Sequence, residues 1–269
     1  MTRRHPPSGS SPRAMTTTTI SRSTRGLATG LVVFALAAAG CGGGGDDTTA
    51  AETGSTTTTA ANADTPDPGE CSSTVDNELM PLAQLKTKVF EGKERNQDTG
   101  ETVETRAELR IQEQPATIAD YPVTVVRVQE YEDGELVERT LDYYTQCGDG
   151  DVWYVGEKVD DFENGKLVGH EGQWQAGKGG AKPGLFMPAD PKVGQTFEQE
   201  RAPGIAEDRS TVVELDVEIT VPARTFTGCI KTEDFAPLDN ITEFKFYCPE
   251  AGAVREERPG VQFDLVRFS

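Results

Sequence analysis

Apolar and polar residues alternate along much of the chain beyond residue 70. The alternation is strongest in 211–220, which reads TVVELDVEIT. Successive side chains of a β-strand point to opposite faces, so this pattern predicts a strand with one face buried and the other in water. The predicted buried face carries Val213, Leu215, Val217 and Ile219. Similar runs predict further strands at 86–93, 104–112, 123–131, 136–146, 151–162, 166–174, 225–232, 244–248 and 261–268.

Turn signals separate these runs at short intervals. Asp133-Gly134 and Asn164-Gly165 supply the residues of a two-residue hairpin turn, whose central positions require positive φ. No segment shows sustained helical periodicity, and 77–85 is expected to form one short helix or turn. The sequence therefore predicts an all-β antiparallel meander that forms a curled sheet or a barrel-like domain with little helix.

The segment 177–194 departs from this regularity. Its prolines and glycines predict that no strand passes through its centre, although Leu185, Phe186 and Met187 stand together there. An apolar triplet in a long loop either plugs the end of a barrel or forms the lip of a binding site. The candidate ligand contacts are these three residues and two tryptophans that belong either to a stacking platform or to the core, Trp153 and Trp174.

One cysteine lies alone between an apolar run and four glycines. Five arginines and no acidic residue precede it, and 27–40 is apolar or small, too short to cross a bilayer as a helix. A basic head, a short apolar centre and small residues at the exit form an export signal. Ala38, Ala39 and Gly40 lead directly into Cys41, which resembles the lipobox of bacterial lipoproteins. That resemblance implies cleavage before Cys41 and a lipid on its sulfur.

These observations divide the chain into three parts. Residues 1–40 are the predicted lipoprotein signal peptide, 41–70 the lipidated cysteine with a Gly/Thr/Ala/Pro linker, and 71–269 a single β-rich domain. The mature chain would have 21 basic and 45 acidic residues, a net charge of −24. Such a charge repels nucleic acid and anionic lipid surfaces, so neither is expected to bind the domain directly. The membrane is expected as a partner only through the lipid anchor at Cys41, on the extracytoplasmic side.

Four cysteines remain in the exported domain, an even number that indicates two disulfides in one of three connectivities. If 225–232 and 244–248 form a hairpin, Cys229 and Cys248 face each other. The second bridge is then Cys71–Cys147. A metal site is the alternative, but no CxxC spacing or neighbouring histidine supports it.

The mature chain offers few groups for catalysis. His170 is its one histidine, which excludes a two-histidine metal motif, and no GxSxG accompanies it. No motif predicts a cofactor, a metal or a catalytic residue. Acidic pairs are frequent, but in so acidic a chain they are weak indicators of a glycosidase: Asp149/Asp151, Asp160/Asp161 and Glu256/Glu257.

Three stretches together resemble a known family. They read DYYTQ…GDGDVWYVGE, QWQAG…AKPGLFMPADPKVGQTF and VPARTFTGCIKT…FKFYCPEAGAVREE, and they cover about 124–269. The chain is similar here to TapB-like proteins, exported bacterial β-proteins for which no catalytic residue is assigned. Cys248 stands where that family has an apolar or small residue, which fits an added disulfide. The resemblance implies the fold and the location, and leaves the function open.

Three functions fit these features. The first is a non-enzymatic envelope lipoprotein whose domain binds a small apolar ligand, a glycan or an envelope protein. The second is a carboxylate-dependent hydrolase of envelope glycan or peptide, and the third is a purely structural surface module. A concave apolar cavity would favour the first over the third. Two carboxylates buried together with raised pKa values would favour the second.

Overall fold

The computed structural model describes residues 65–95 and 100–269. Those residues form 16 strands and two 3₁₀ turns, at Pro68–Glu70 and Leu82–Gln84. None of them belongs to a helix with the length and apolar character needed to span a membrane. The strands are β1 (Cys71–Ser72), β2 (Thr87–Arg95), β3 (Thr102–Ile111), β4 (Ala116–Ile118), β5 (Tyr121–Glu132), β6 (Glu135–Cys147), β7 (Asp151–Glu163), β8 (Lys166–Gly169), β9 (Trp174–Gln175), β10 (Gly184–Met187), β11 (Thr196–Glu198), β12 (Arg209–Val221), β13 (Arg224–Ala236), β14 (Ile241–Cys248), β15 (Gly252–Arg258) and β16 (Val261–Phe268).

All these strands belong to one curled antiparallel sheet, which confirms the predicted fold class. The strand order is β10-β7-β6-β5-β3-β2-β16-β15-β14-β13-β12-β11, and β1, β4, β8 and β9 pair at its sides. The sheet is not closed by a full ladder. Its two edge strands, β10 and β11, approach each other beside one bridge between Lys182 and Arg201. A Cβ on Gly184 in β10 would lie 2.1 Å from the Gln199 carbonyl oxygen, so glycine permits this approach.

The hairpins form where the turn residues predicted them. Asp133 and Gly134 have φ of 48° and 84°, and Asn164 and Gly165 have φ of 51° and 72°. Positive φ at both central positions matches the twist of the flanking antiparallel strands. These turns lie at one end of the sheet, called here the hairpin end.

The other end is covered by residues 75–85, called here the plug segment. The Asn77 side chain donates hydrogen bonds to Gly150 O at 3.1 Å and Pro188 O at 3.3 Å, which fixes the segment to the β6–β7 turn. Within the segment, Ala83 N donates to Val75 O at 2.8 Å. The short helix or turn expected in 77–85 is the 3₁₀ turn at Leu82–Gln84.

Both disulfides lie near the plugged end. Cys71 is linked to Cys147 and Cys229 to Cys248, as the predicted hairpin requires. The first joins β1 to the last residue of β6, and the second joins neighbouring strands β13 and β14. The bridges therefore hold the rim of the sheet at the end that the plug segment covers.

The prediction that no strand passes through the centre of 177–194 is wrong. Gly184–Met187 forms β10, which pairs with β7. Pro183 and Pro188 lie outside the strand, directly before and after it. Proline disrupts a ladder only where its missing N–H is needed, so four residues between two prolines can still form a terminal strand.

The predicted buried face of 211–220 is also partly wrong. Val213 and Leu215 are 36% and 38% exposed, whereas Val212 and Ile219 are buried. The register of β12 against β13 shifts three times along this stretch, and Asp216 has a φ of 57°. Each bulge inserts a residue and reverses which face the following side chains take.

Candidate ligand-binding site

An aromatic layer crosses the interior of the curled sheet near the plugged end. The Tyr144 ring centroid lies 4.8 Å from that of Tyr154 and 5.1 Å from that of Phe186. Phe186 also meets Tyr247 edge-on at 6.5 Å, and Tyr154 meets Trp174 edge-on at 5.4 Å. Such offset and edge-to-face pairs are the favoured arrangements of aromatic rings.

A glycine admits Trp174 to this layer. Gly156 in β7 has a φ of 133°, and a Cβ there would lie 2.4 Å from the Trp174 carbonyl oxygen. The missing side chain lets β9 pack directly on β7. The indole N–H of Trp174 then donates to Glu200 Oε1 at 3.3 Å in the interior.

A cavity of about 60 Å³ lies between the aromatic layer and the plug segment. By liquid volume it has room for roughly two water molecules. Apolar and aromatic side chains form most of its wall, and one cationic residue, Lys88, belongs to it. The lining includes Met80, Leu82, Leu109, Val126, Tyr144, Phe186 and Tyr247.

Lys88 lies two positions before the buried Phe90 on β2, so both side chains point to the same inner face of the sheet. It is 5% exposed, and its Nζ donates a hydrogen bond to Ala253 O at 2.6 Å. Nζ also lies 5.0 Å from the Phe90 ring centroid. No ion pair to Lys88 is found within the described ranges, and burial lowers the pKa of its amine to about 7. Lys88 is therefore a buried amine that has no acidic partner among residues 65–95 and 100–269.

A groove of about 910 Å³ adjoins the cavity on the outer side of the plug segment. Leu82, Leu85 and Ile111 line both. The groove is more polar than the cavity, since Arg110 and Thr124 contribute to its wall. An apolar inner chamber and a wider, more polar outer groove therefore share three apolar side chains.

Beyond the aromatic layer, toward the hairpin end, the interior becomes acidic. The interior acid cluster is defined by six buried carboxyl groups, Glu138, Asp142, Glu157, Glu200, Asp234 and Glu256. One buried cation, Lys245, pairs with two acids: its Nζ lies 3.3 Å from Asp234 Oδ2 and 2.9 Å from Glu243 Oε1.

Hydrogen bonds satisfy only part of this cluster. The Tyr154 hydroxyl donates to Asp142 Oδ1 at 3.1 Å, and the Ser210 hydroxyl donates to Asp234 Oδ1 at 2.6 Å. Within the described part of the chain, one oxygen each of Glu138, Asp142, Glu157 and Glu200, and both of Glu256, have no hydrogen-bond partner.

Burial favours the neutral form of these acids. It raises the pKa of Asp142 to about 7, and burial with the nearby charge of Glu130 raises that of Glu138 to about 10. The pKa values of Glu157, Glu200 and Glu256 are raised well above their usual range, again mainly by burial. Burying a carboxyl group costs less free energy when the group is protonated. This explains how six buried acids can lie around one lysine.

The predicted ligand contacts are buried and do not form one surface. Phe186 and Trp174 both contact Tyr154 in the aromatic layer, and Phe186 also lines the cavity. Met187 belongs to the same core. Trp153 and Leu185 pack in a separate apolar cluster with Phe197 and Val212. The triplet at 185–187 is therefore packed inside the structure rather than forming an exposed lip.

His170 lies just beyond β8 with its side chain 45% exposed. Its Nδ1 is 2.6 Å from Val159 O and 3.2 Å from Asp160 Oδ1. The Arg139 guanidinium, 2.6 Å from Asp160, holds the pKa of that carboxyl below its usual range. Cys41, the predicted lipid attachment site, lies outside the described residues.

Sequence reasoning missed Lys88 and the interior acid cluster. A signal for them was present in the period-two pattern. Lys88 shares a strand face with Phe90, and Glu138 and Asp142 share one with Tyr144. Among the described residues no group of three or more His, Cys, Asp or Glu has an arrangement that could hold a metal ion. Comparisons with protein-family models, with curated proteins and with solved structures give no match to this chain.

Proposed function

We propose that this chain is a non-enzymatic envelope lipoprotein whose β domain binds a small, largely apolar ligand at the plugged end. The observation that supports it is the apolar cavity of about 60 Å³ that adjoins a groove of about 910 Å³. Ligand sites in proteins are typically concave and apolar, with a few polar groups that orient the ligand. Here the aromatic layer supplies the apolar wall, and Lys88 is the orienting group.

The location is the extracytoplasmic face of the cell membrane, with Cys41 as the lipid anchor. The two disulfides fit an oxidising compartment. Cys41→Ala should move the protein from the membrane fraction to the medium or leave an unprocessed precursor. An unchanged partition into detergent, with unchanged mobility, would contradict the anchor.

Binding is tested by native mass spectrometry of the protein after gentle detergent extraction. We expect a species heavier than the lipidated chain. Val126→Phe should abolish this species by filling the cavity that Val126 lines. The control is Val193→Phe, the same change at a residue that is 60% exposed. Recovery of the unliganded mass alone from wild-type protein would count against the proposal.

The interior acid cluster favours a second candidate, a hydrolase that acts on envelope glycan or peptide. Several carboxyl groups with raised pKa values lie together, as a general acid requires. These groups are buried, whereas a catalytic carboxyl must reach its substrate. The hydrolase would be established instead if Glu157→Gln folds but no longer hydrolyses peptidoglycan fragments. The control, Glu135→Gln at an exposed site, should still hydrolyse them.

A further inference from the structure

We propose that the ligand carries a carboxylate that pairs with Lys88 inside the cavity, while its aliphatic chain extends past the plug segment into the groove. This inference rests on the proposed function, since it names the chemical class of the ligand of the same site. It follows from the unused hydrogen-bond donors of Lys88 and from the three apolar side chains that the cavity and the groove share.

Lys88 has donors to spare. A lysine ammonium has three N–H groups, and the structure gives Lys88 one acceptor among the described residues, Ala253 O. A buried cation is stable only when it is paired, and here no acid of the described chain lies within ion-pair distance. A bound carboxylate would supply both the missing charge and the missing acceptors.

Two tyrosines lie between the cavity and the interior acid cluster. Tyr144 and Tyr247 line the cavity, and acids of the cluster lie near their phenols, Asp142 near Tyr144 and Asp234 near Tyr247. Burial raises the pKa of both phenols, so each keeps its proton. Lys88 is the donor that the cavity offers to a ligand, which favours a ligand rich in acceptors. It disfavours an amine, which Lys88 would repel.

The size of the site sets the rest of the ligand. A chamber of about 60 Å³ is about the size of one acid group, and one lysine balances one negative charge. Leu82, Leu85 and Ile111 continue from the chamber into the groove. A monocarboxylic acid with a short aliphatic chain matches this site: its acid group fits the chamber, and its chain fits the apolar side chains shared with the groove.

The test compares two probes of equal length, hexanoate and hexan-1-ol, by isothermal titration calorimetry. The full chain in detergent is used, and each titration is corrected by one into protein-free detergent. The variants are Lys88→Met, which keeps the volume of the side chain and removes the charge, and Lys93→Met. Lys93 lies on the same strand with its side chain 65% exposed, so it serves as the matched control.

We expect hexanoate to bind wild type and Lys93→Met equally, and Lys88→Met on the order of 100-fold more weakly, because a charge-assisted contact is lost. Hexan-1-ol should bind wild type and Lys88→Met alike. In wild-type protein, ¹⁵N NMR of the lysine Nζ groups should show the pKa of Lys88 rising when hexanoate is added. This measurement needs no variant to fold.

Each other outcome contradicts a defined part of the argument. Equal hexanoate binding by wild type and Lys88→Met overturns the carboxylate pairing and leaves the binding function intact. Binding of hexan-1-ol without hexanoate does the same. If neither probe binds wild type, both the pairing and the proposed cavity function fail.

Discussion

Asp142→Asn should make the protein more stable, by an amount that depends on pH. Asp142 is fully buried, and its pKa is raised from 3.8 to about 7, chiefly by burial. Below pH 3.8 the carboxyl is protonated in both the folded and the unfolded chain. Between 3.8 and about 7 the unfolded chain releases the proton while the folded protein retains it. Wild-type stability therefore falls as pH rises through this window.

The magnitude follows from the two pKa values. Each pH unit between them lowers the free energy of unfolding by about 1.4 kcal/mol, so the loss reaches about 4 kcal/mol by pH 7. An asparagine amide cannot ionise, and its oxygen still accepts the hydrogen bond that Tyr154 donates to Asp142 Oδ1. The variant therefore avoids the loss without giving up that contact.

Urea unfolding followed by tryptophan fluorescence, from pH 4 to pH 8, measures this difference. The variant should match wild type near pH 4, gain steadily to about pH 7 and keep a constant advantage above it. Asp149→Asn, the same change in the exposed β6–β7 turn, is the control. A difference that stays flat with pH, or a variant less stable than wild type at pH 7, would refute the reasoning.

Lys88→Met should show the opposite pH dependence. Folded wild type loses the Lys88 proton near pH 7, whereas the unfolded chain loses it near pH 10.5. Between these values the free energy of unfolding of wild type rises by about 1.4 kcal/mol per pH unit, so the stability advantage of the variant shrinks. Denaturant titrations at pH 6 and pH 10 would show this, and an advantage that grows with pH would contradict it. Gly184→Ala should cost about 1–3 kcal/mol in thermal unfolding, because its Cβ would lie 2.1 Å from the Gln199 carbonyl oxygen. Gly69→Ala should cost less, because its Cβ would meet only the Asp67 side chain, at 3.3 Å. Replacing Cys229 and Cys248 together with alanine should cost about 3 kcal/mol by the same measurement, and an unchanged melting temperature would show that the bridge adds nothing.

Most of the longer strands, the hairpins and the disulfides could be predicted from the sequence because each depends on local features. Alternation within 123–131 or 136–146 favours an extended chain whatever surrounds it. Asp133-Gly134 fixes a tight turn through its backbone preferences alone. Once the two strands pair in a hairpin, Cys229 and Cys248 are cross-strand neighbours and form a disulfide with each other.

The faces of the strands could not be predicted in the same way. Bulges in β12 expose Val213 and Leu215, and no local signal distinguishes a bulged strand from a regular one. Likewise β10 exists because β7 offers it a partner, although its flanking prolines argue against a strand.

The candidate site was decided by the tertiary structure. Alternation shows that Lys88 and Phe90 share a face, and that Glu138 and Asp142 share another, but it does not show which face is inside. That depends on the curl of the whole sheet and on the plug segment, which places Leu82 and Phe186, more than 100 positions apart, around one cavity. A charged residue on an open sheet stays in water at no cost. The same residue on the inner face of a curled sheet loses its water, and from that loss come the lowered pKa of Lys88 and the raised pKa of Asp142.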